Sequence, residues 1–469
     1  MAAPPTIPIN GGLKSICEAI WRIETDLDLF QRQVAGVYVW RLIRWEVSRA
    51  FAQRAGLAVG SPGSGPRPVS YRIRHELAAL RQSLAHSAWS SAGSVETILV
   101  PFPRKHQRGG VKIDIHTEAL LAEPAFRPIL ALERTEAQHH VQARPDVFIA
   151  DRDRGRPEAV GRALLTFPAF LVPLKLLRTE LEAAARREFG MDFPISLNSL
   201  ALRVALFREH RAVSRRMLRA TGAKRLVAAW HDQVMFAAAA DLGMATVEIQ
   251  HAAFSRYNLH YHFPYRGEIP YFASRFLAFG RYWIDHVELP ANTRATVVGS
   301  SNIAALREVP VDRQPRRLVV TSQGPTYWPL LECTVETARI TPDWEFIFRP
   351  HPREDVASYR DRIANLGGAP PNLRLSDHAE DVYQLIKSAD VQMGVASTTL
   401  FEGMSLGCRT IVFKAPGCEA MEEVLRVGDA VLAATPAEVF ACLASAPTPH
   451  DLQRYYANPS NLSAALGGR

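Results

Sequence analysis

Two α/β domains in tandem, each built on a parallel sheet with helices on both faces and preceded by a helical addition, are what this sequence predicts. Three observations carry that expectation. The chain has 469 residues, more than one hydrophobic core organises. Short β-rich runs alternate with helical stretches in two separate series, the pattern of doubly wound sheets. A polar, proline-containing break at 303–316, ending VPVDRQPRR, separates the two series.

Taken in order, residues 14–57 place Ile16, Ile20, Ile23 and Leu27, then Val39, Leu42 and Ile43, at helical spacing, with Trp21, Trp40, Trp45 and several arginines between them. This predicts two helices packed on the first domain. The Gly/Pro/Ser-rich stretch GSPGSGPRP at 60–68 is a loop. The first series of strands is TILVPF (97–102), RLVAAW (225–230), ATVEIQ (245–250), RFLAFG (275–280) and ATVVG (295–299). The second is RLVVTSQ (317–323), WEFIFRP (344–350), LRLS (373–376), DVQMG (390–394), RTIVF (409–413) and AVLAA (430–434). The expected organisation is therefore helices over 1–60, a first domain over 61–302, a linker over 303–316 and a second domain over 317–469.

Composition narrows the function classes. Hydrophobic residues make up 47% and charged residues 22%, as in a globular protein. The net charge is +8, and all but seven of the 55 basic residues are arginine, which suits phosphate and carboxylate partners. No zinc-finger spacing, RNP-like aromatic run or basic tail accompanies that charge, so nucleic acid is not an expected partner. Cys17, Cys333, Cys408, Cys418 and Cys442 are dispersed and never form CxxC, which argues against a disulfide scaffold or zinc site and for the cytoplasm. The N-terminus MAAPPTIPINGG lacks the pattern of a secretory signal. The most apolar stretch, Ala163 to Leu177, contains Pro168 and Pro173 and is expected to fall short of the roughly 20 residues that span a bilayer.

The residues that carry chemistry cluster after strands. RPHP at Arg349–Pro352 follows the apolar run WEFIF. Ligands of open α/β sheets bind beyond the strands' carboxyl ends, so His351, held between two prolines, is a candidate phosphate ligand. GVASTTLFEG at 394–403 follows another strand. Ser397, Thr398 and Thr399 open a helix whose free N–H groups attract phosphate, and Glu402 is placed to accept from ribose hydroxyls. Plain N-capping by the same residues is the alternative. Gln323 and Gly324, in SQGPTYW, form a turn facing the same cleft. In the first domain, His231 and Asp232 follow one strand and Gln250 and His251 the next. Asp232, Gln250 and His251 are the candidates for nucleophile, acid/base and hydrogen-bonding roles, although Asp232 equally suits a helix N-cap. His260 and His262 have no carboxylate or cysteine at ligand spacing, so no metal is expected. Asp114, His116 and Glu118 in IDIHTE read as turn and helix-start residues bordering an acceptor site. DRD at 151–153 lies in a charged run typical of a solvated loop.

Together, PFPRKHQRGGVKIDIHTE, WHDQ, VEIQHAAFSRYNLHYHFPY, FLAFGRYW, FRPHP and GVASTTLFEG, spanning 97 to 403, resemble bacterial capsule and lipopolysaccharide glycosyltransferases of the GT-B fold. Within these the chain is most similar to the retaining β-Kdo transferases, Kdo being 3-deoxy-D-manno-oct-2-ulosonic acid. Bacterial sialyltransferases and CDP-glycerol polymerases are more distant. The resemblance implies two Rossmann-like domains facing a cleft, an acceptor domain first and a nucleotide-sugar donor domain second. It implies a CMP-sugar donor, a saccharide or glycolipid acceptor, and no cofactor or catalytic metal. His351, Ser397 and Thr398 would hold the nucleotide phosphate, Arg349 would pair with phosphate or carboxylate, and Asp232 would be the nucleophile. Gln250-His251-Ala252 departs from the family's QHG, and alanine lacks glycine's freedom at positive φ. A CDP-linked polyol-phosphate transferase, a nucleotide-sugar 2-epimerase and a non-catalytic subunit of a capsule assembly complex are the alternatives. Peripheral contact with the inner membrane, through residues 14–57 and 163–177, is a further expectation.

Overall fold

The computed structural model describes residues 12–57, 95–103, 105–108, 111–133, 147–151, 155–323, 327–352, 354–377, 379–449, 451–460 and 465. Its strands are, in order, β1 (Thr97–Val100), β2 (His106–Arg108), β3 (Val111–Ile113), β4 (Ile129–Glu133), β5 (Val147–Asp151), β6 (Arg225–Ala228), β7 (Ala245–Ile249), β8 (Arg275–Ala278), β9 (Arg294–Val297), β10 (Arg317–Thr321), β11 (Glu345–Arg349), β12 (Leu373–Leu375), β13 (Val391–Gly394), β14 (Arg409–Phe413) and β15 (Val431–Ala433). Every run named in the two series becomes a strand. β4, β5 and the small antiparallel hairpin β2–β3 were not anticipated.

The first sheet runs β5-β4-β1-β6-β7-β8-β9 and the second β12-β11-β10-β13-β14-β15, and both are parallel throughout. Strands buried on both faces need uninterrupted apolar side chains, which Ile98–Val100, Leu226–Ala228, Leu318–Val320 and Phe346–Phe348 provide. In each sheet the order reverses once, between β1 and β6 and between β10 and β13. Such switch points leave a crevice at the strands' carboxyl ends. Two Rossmann-like domains facing a cleft, the expected GT-B class, are thus present.

The helices Gly12–Asp26 and Val39–Arg54 form as read from their spacing, burying Ile16, Ile20, Ile23, Trp40, Ile43 and Val47 in the first domain's core. The first of them also reaches the second domain, where the Leu13 N–H donates to Glu419 Oε1 (3.0 Å) and Lys14 pairs with Glu422 (3.6 Å).

Two expectations require correction. Residues 303–308, read as part of an irregular linker, form most of the helix Ser301–Glu308, which Ser300 caps by accepting from the Ile303 N–H (3.3 Å); the irregular segment begins only after Glu308, where the prolines lie. The prolines at 168 and 173 do not interrupt the apolar stretch either, because they occupy first turns of successive helical segments where no N–H is needed. One helical run, Arg156–Phe189, is 34 residues long and apolar enough to cross a membrane by length and composition. Its outward face carries Leu164, Leu165, Val172 and Leu176, with Leu165 and Val172 each 83% exposed.

The C-terminal stretch crosses back to the first domain. Ala457 N–H donates to Phe279 O (2.8 Å), Ser460 N–H to Val298 O (3.0 Å) and Trp283 Nε1 to Tyr455 O (2.6 Å). This is possible only because Gly280 has no Cβ, which would stand 2.4 Å from the Arg454 and Tyr455 carbonyl oxygens. Tyr455 meanwhile donates its hydroxyl to Asp429 of the second domain (2.8 Å).

Candidate active site between the sheets

In the first sheet β1, β6, β7 and β8 lie side by side, so the residues after them emerge together. The His251 ring stacks on Phe102 (4.8 Å between centroids) and meets the edge of His116 (6.4 Å), which stacks in turn on Phe279 (5.8 Å). Fully buried Asp114 fixes this group by accepting from the Phe102 N–H (2.8 Å), the His116 N–H (3.1 Å) and the Thr117 hydroxyl (2.8 Å). Residues read from IDIHTE as turn formers are therefore part of the site's frame. Burial lowers the His251 pKa to about 4, so the ring is neutral near pH 7, and its Nδ1 is buried without a hydrogen-bond partner among the described residues.

The other first-domain candidates also make contacts within the fold. Gln250 is buried, its Nε2 donating to Ala252 O (3.0 Å) and its Oε1 accepting from the Phe279 N–H (2.8 Å), which clamps the loops after β7 and β8 together. Asp232 caps the helix Gln233–Ala240 by accepting from the Met235 N–H (3.2 Å) and is 4% exposed. His231 is locked inward: Arg41 Nη2 donates to its Nε2 (2.8 Å), its Nδ1 faces Glu248 Oε2 (3.0 Å), and the Tyr261 hydroxyl donates to Glu248 Oε1 (2.6 Å). Burial, with Arg41 adding to it, holds His231 well below the usual histidine range, and burial pushes Glu248 up to about 7. Sequence reading did not single out Arg41, Glu248 or Phe102; Arg41 comes from the N-terminal helices and has no local signal.

The remaining histidines are packed rather than clustered. His260 lies against Trp45 (4.7 Å), and His262 Nδ1 accepts from the Glu288 N–H (3.0 Å). Among the described residues no three His, Cys, Asp or Glu side chains stand together to hold a metal ion. Asp151 ends β5, while the rest of the DRD string and Gly324 lie outside the described residues. Glu118 opens the short helix Glu118–Ala122.

In the second domain the switch point lies between β10 and β13, flanked by Gln323 and by Ala396–Thr398, and the Ala396 N–H donates to Gln323 Oε1 (2.8 Å) across it. β10, not β12, separates His351 from the Ser/Thr turn, because β12 takes the sheet's edge. The turn carrying His351 is tied to β10 by a chain of bonds: the His351 N–H and the Tyr359 hydroxyl both donate to Glu354 Oε2 (2.7 and 2.6 Å), and the Tyr359 and Ser322 hydroxyls meet at 3.0 Å. Ser397 caps the helix Thr398–Ser405, accepting from the Thr399 N–H (3.3 Å), with its hydroxyl 3.0 Å from that of Thr399. Glu402 accepts from the Tyr383 hydroxyl (3.2 Å). Arg349 is committed inside the domain, donating to Ser376 Oγ and the Glu380 carbonyl (3.0 Å each).

The two edges meet directly. The Ala253 N–H, two residues after His251, donates to Thr398 Oγ1 (3.3 Å). The loop that follows His251 is therefore in contact with the N-terminus of the helix Thr398–Ser405.

No protein-family model matches the chain, and no curated protein matches it in sequence. Among solved structures it is similar to the UDP-GlcNAc 2-epimerase of Neisseria meningitidis bound to UDP-GlcNAc, at 13% identity over 80% of this chain and 100% of that one, with a TM-score of 0.43. The UDP-GlcNAc 2-epimerase of Methanocaldococcus jannaschii aligns at 9% identity over 78% and 96%, TM-score 0.43. The calicheamicin glycosyltransferase CalG4 aligns at 14% identity over 76% and 90%, TM-score 0.40.

Proposed function

We propose that the protein is a glycosyltransferase that moves an acidic sugar, Kdo in the leading case, from a CMP-linked donor to a saccharide or glycolipid acceptor. The observation that carries this reading is the contact between Ala253 and Thr398, which joins the carboxyl edges of two parallel sheets at a switch point. Anion binding at the N-terminus of the helix Thr398–Ser405, with His351 and Gln323 on the neighbouring strands, supports a nucleotide phosphate there. His251, two residues before the Ala253 contact, is the proposed base; burial holds its pKa at about 4, so acceptor binding has to raise it for the ring to take the proton. The acceptor hydroxyl passes its proton to His251 as its oxygen bonds the anomeric carbon, and the bond from that carbon to the phosphate oxygen breaks, releasing CMP with inversion; the retaining route that the resemblance implies needs a second displacement through Asp232. His251 is placed ahead of Asp232 in this scheme because Asp232 already caps a helix through one of its oxygens. No metal or cofactor enters this scheme.

Work at the inner membrane's cytoplasmic face fits the exposed apolar ridge of Leu164, Leu165, Val172 and Leu176. Leu165→Glu should abolish co-sedimentation with anionic vesicles; unchanged sedimentation, or none by the wild type, removes this part of the proposal.

Thermal-shift measurements with CMP, CDP, UDP and GDP test the donor. A ligand at a hundredfold excess over its Kd stabilises the folded state by about 2.7 kcal/mol. CMP alone should do so, and His351→Ala should lose the effect. A preference for UDP or GDP overturns the CMP donor, CDP alone favours polyol-phosphate transfer, and donor turnover without acceptor favours an epimerase. No shift with any nucleotide favours a non-catalytic subunit.

A further inference from the structure

We infer that the N-terminal helices and the second domain together form a binding site for a hydrocarbon chain carrying an anionic group, with Arg49 as the group's partner. The inference deepens the transferase reading by naming the acceptor class: a saccharide attached through phosphate to a lipid.

A cavity of about 150 Å³ lies where three parts of the chain converge. Leu13, Cys17 and Ala52 come from the two N-terminal helices, Phe254 from the loop after β7, and Ala396 and Phe401 from the second domain. An apolar cavity near this size accepts a benzene ring, so it takes a ring or a short segment of hydrocarbon. Three polar side chains in its wall already bond within the fold. Ser48 donates to Trp45 O (2.8 Å), Ser255 Oγ accepts from the Tyr257 N–H (3.2 Å) and Asn258 Oδ1 accepts from the His260 N–H (2.9 Å). The Cys17 thiol donates to Tyr257 O (3.4 Å), and burial pushes its pKa up to about 12, so it stays uncharged.

Arg49 differs from all of these. It borders the cavity, is exposed, and has no hydrogen-bond or ion-pair partner among the described residues. Several surface arginines among the described residues have one, including Arg22, Arg32, Arg54 and Arg187. A guanidinium beside an apolar hollow matches an amphiphile whose head is phosphate or carboxylate. The position matters for transfer. Ala396 immediately precedes Ser397, and Ala253, also in the wall, is the residue that donates to Thr398. A head group leaving this cavity therefore stands beside the junction of the two sheets.

The test uses the full-length protein and soluble probes, with tryptophan fluorescence as readout because Trp45 lines the cavity. Hexyl phosphate should bind at least tenfold more tightly than hexyl glucoside or inorganic phosphate. Arg49→Gln should weaken hexyl phosphate about tenfold, in line with loss of one charged hydrogen bond, and leave hexyl glucoside unchanged. Ala420→Leu, which fills the cavity from the second domain, should weaken both alkyl probes. Equal binding of hexyl phosphate by wild type and both variants, or no binding, overturns the inference. A diester, hexyl glucosyl phosphate, binding as tightly as the monoester supports a lipid-linked saccharide; tenfold weaker binding overturns the acceptor assignment in favour of a free lipid phosphate. CMP binding is measured in parallel. A CMP shift without alkyl phosphate binding removes only this inference, whereas alkyl phosphate binding without any nucleotide shift removes the transferase reading and leaves the site.

Discussion

Arg44→Met should destabilise the protein by about 4 kcal/mol, since removing one partner of a buried ion pair costs about 3–5 kcal/mol. Arg44 and Glu24 are almost wholly buried, and the guanidinium spans both carboxylate oxygens, with Nη2 donating to Oε2 at 2.9 Å. Its Nη1 also donates to the carbonyls of Leu259 and His262, the latter at 2.9 Å. Removing it leaves Glu24 with the Trp40 indole N–H (2.8 Å) as its remaining hydrogen-bond partner. Water reaching the two carbonyls that lose their donor keeps the loss at about 4 kcal/mol; without it each adds about 1–3 kcal/mol. The double variant Glu24→Leu/Arg44→Met removes the buried charge as well and should recover about 2 kcal/mol, because replacing a whole buried pair is far less costly than halving it. Guanidinium chloride unfolding, followed by tryptophan fluorescence and far-UV circular dichroism, gives both numbers. A loss below about 1 kcal/mol for Arg44→Met, or a double variant no more stable than the single, would refute the reasoning.

Acid should weaken the fold around the first-domain histidines. Burial lowers His251 and His262 to about 4 and His260 to about 3, and holds His231 well below its usual range. Below pH 6.5 the unfolded chain binds protons at these positions that the native state refuses, so stability falls as pH falls. Glu248, raised to about 7, opposes this between pH 7 and 4.5, where the native state holds the extra proton. The net uptake of two to three protons predicts a loss of roughly 3–4 kcal/mol per unit between pH 6 and 5; flat stability over that window, measured by denaturant titration, contradicts it. Gly280→Ala should cost about 1–3 kcal/mol by forcing a Cβ into the Arg454 and Tyr455 carbonyls, and limited proteolysis should then cut the 451–460 stretch that wild type protects. Under the proposed mechanism, His251→Gln should lower kcat about 10²–10⁴-fold with little change in KM. Asp232→Asn, which keeps an N-cap oxygen, should lower it far less; the reverse order would transfer the acting role to Asp232.

Much of the architecture was legible from local pattern. Central strands such as β1, β6, β10 and β11 are apolar at their centres because both faces are buried, and that burial leaves a direct trace in the sequence. The Ser397–Thr399 turn and the His351 turn were legible for the same reason: both follow such runs immediately. β4 and β5 were missed, although ILALE at 129–133 is just as apolar as the strands that were read.

What the sequence by itself determined is the layering: which segments are strands, where the helices cap, and which junctions carry polar groups. Each depends on residues within about a turn of one another, whose preferences do not need the rest of the chain. Only the tertiary structure decided how those junctions are used. It turned His231 inward onto Arg41 and Glu248, committed Gln250 to clamping two loops, and raised Asp114 and His116 from turn formers to the frame of His251. It also brought the 451–460 stretch back onto the first domain and set the N-terminal helices as one wall of a cavity whose other wall is the second domain. Several of these outcomes depend on groups far apart in the chain, 190 positions for Arg41 and His231, 172 for Trp283 and Tyr455 and 406 for Leu13 and Glu419. Their pairing follows from the strand orders of two sheets and the burial each side chain finds there, which spacing along a sequence does not encode.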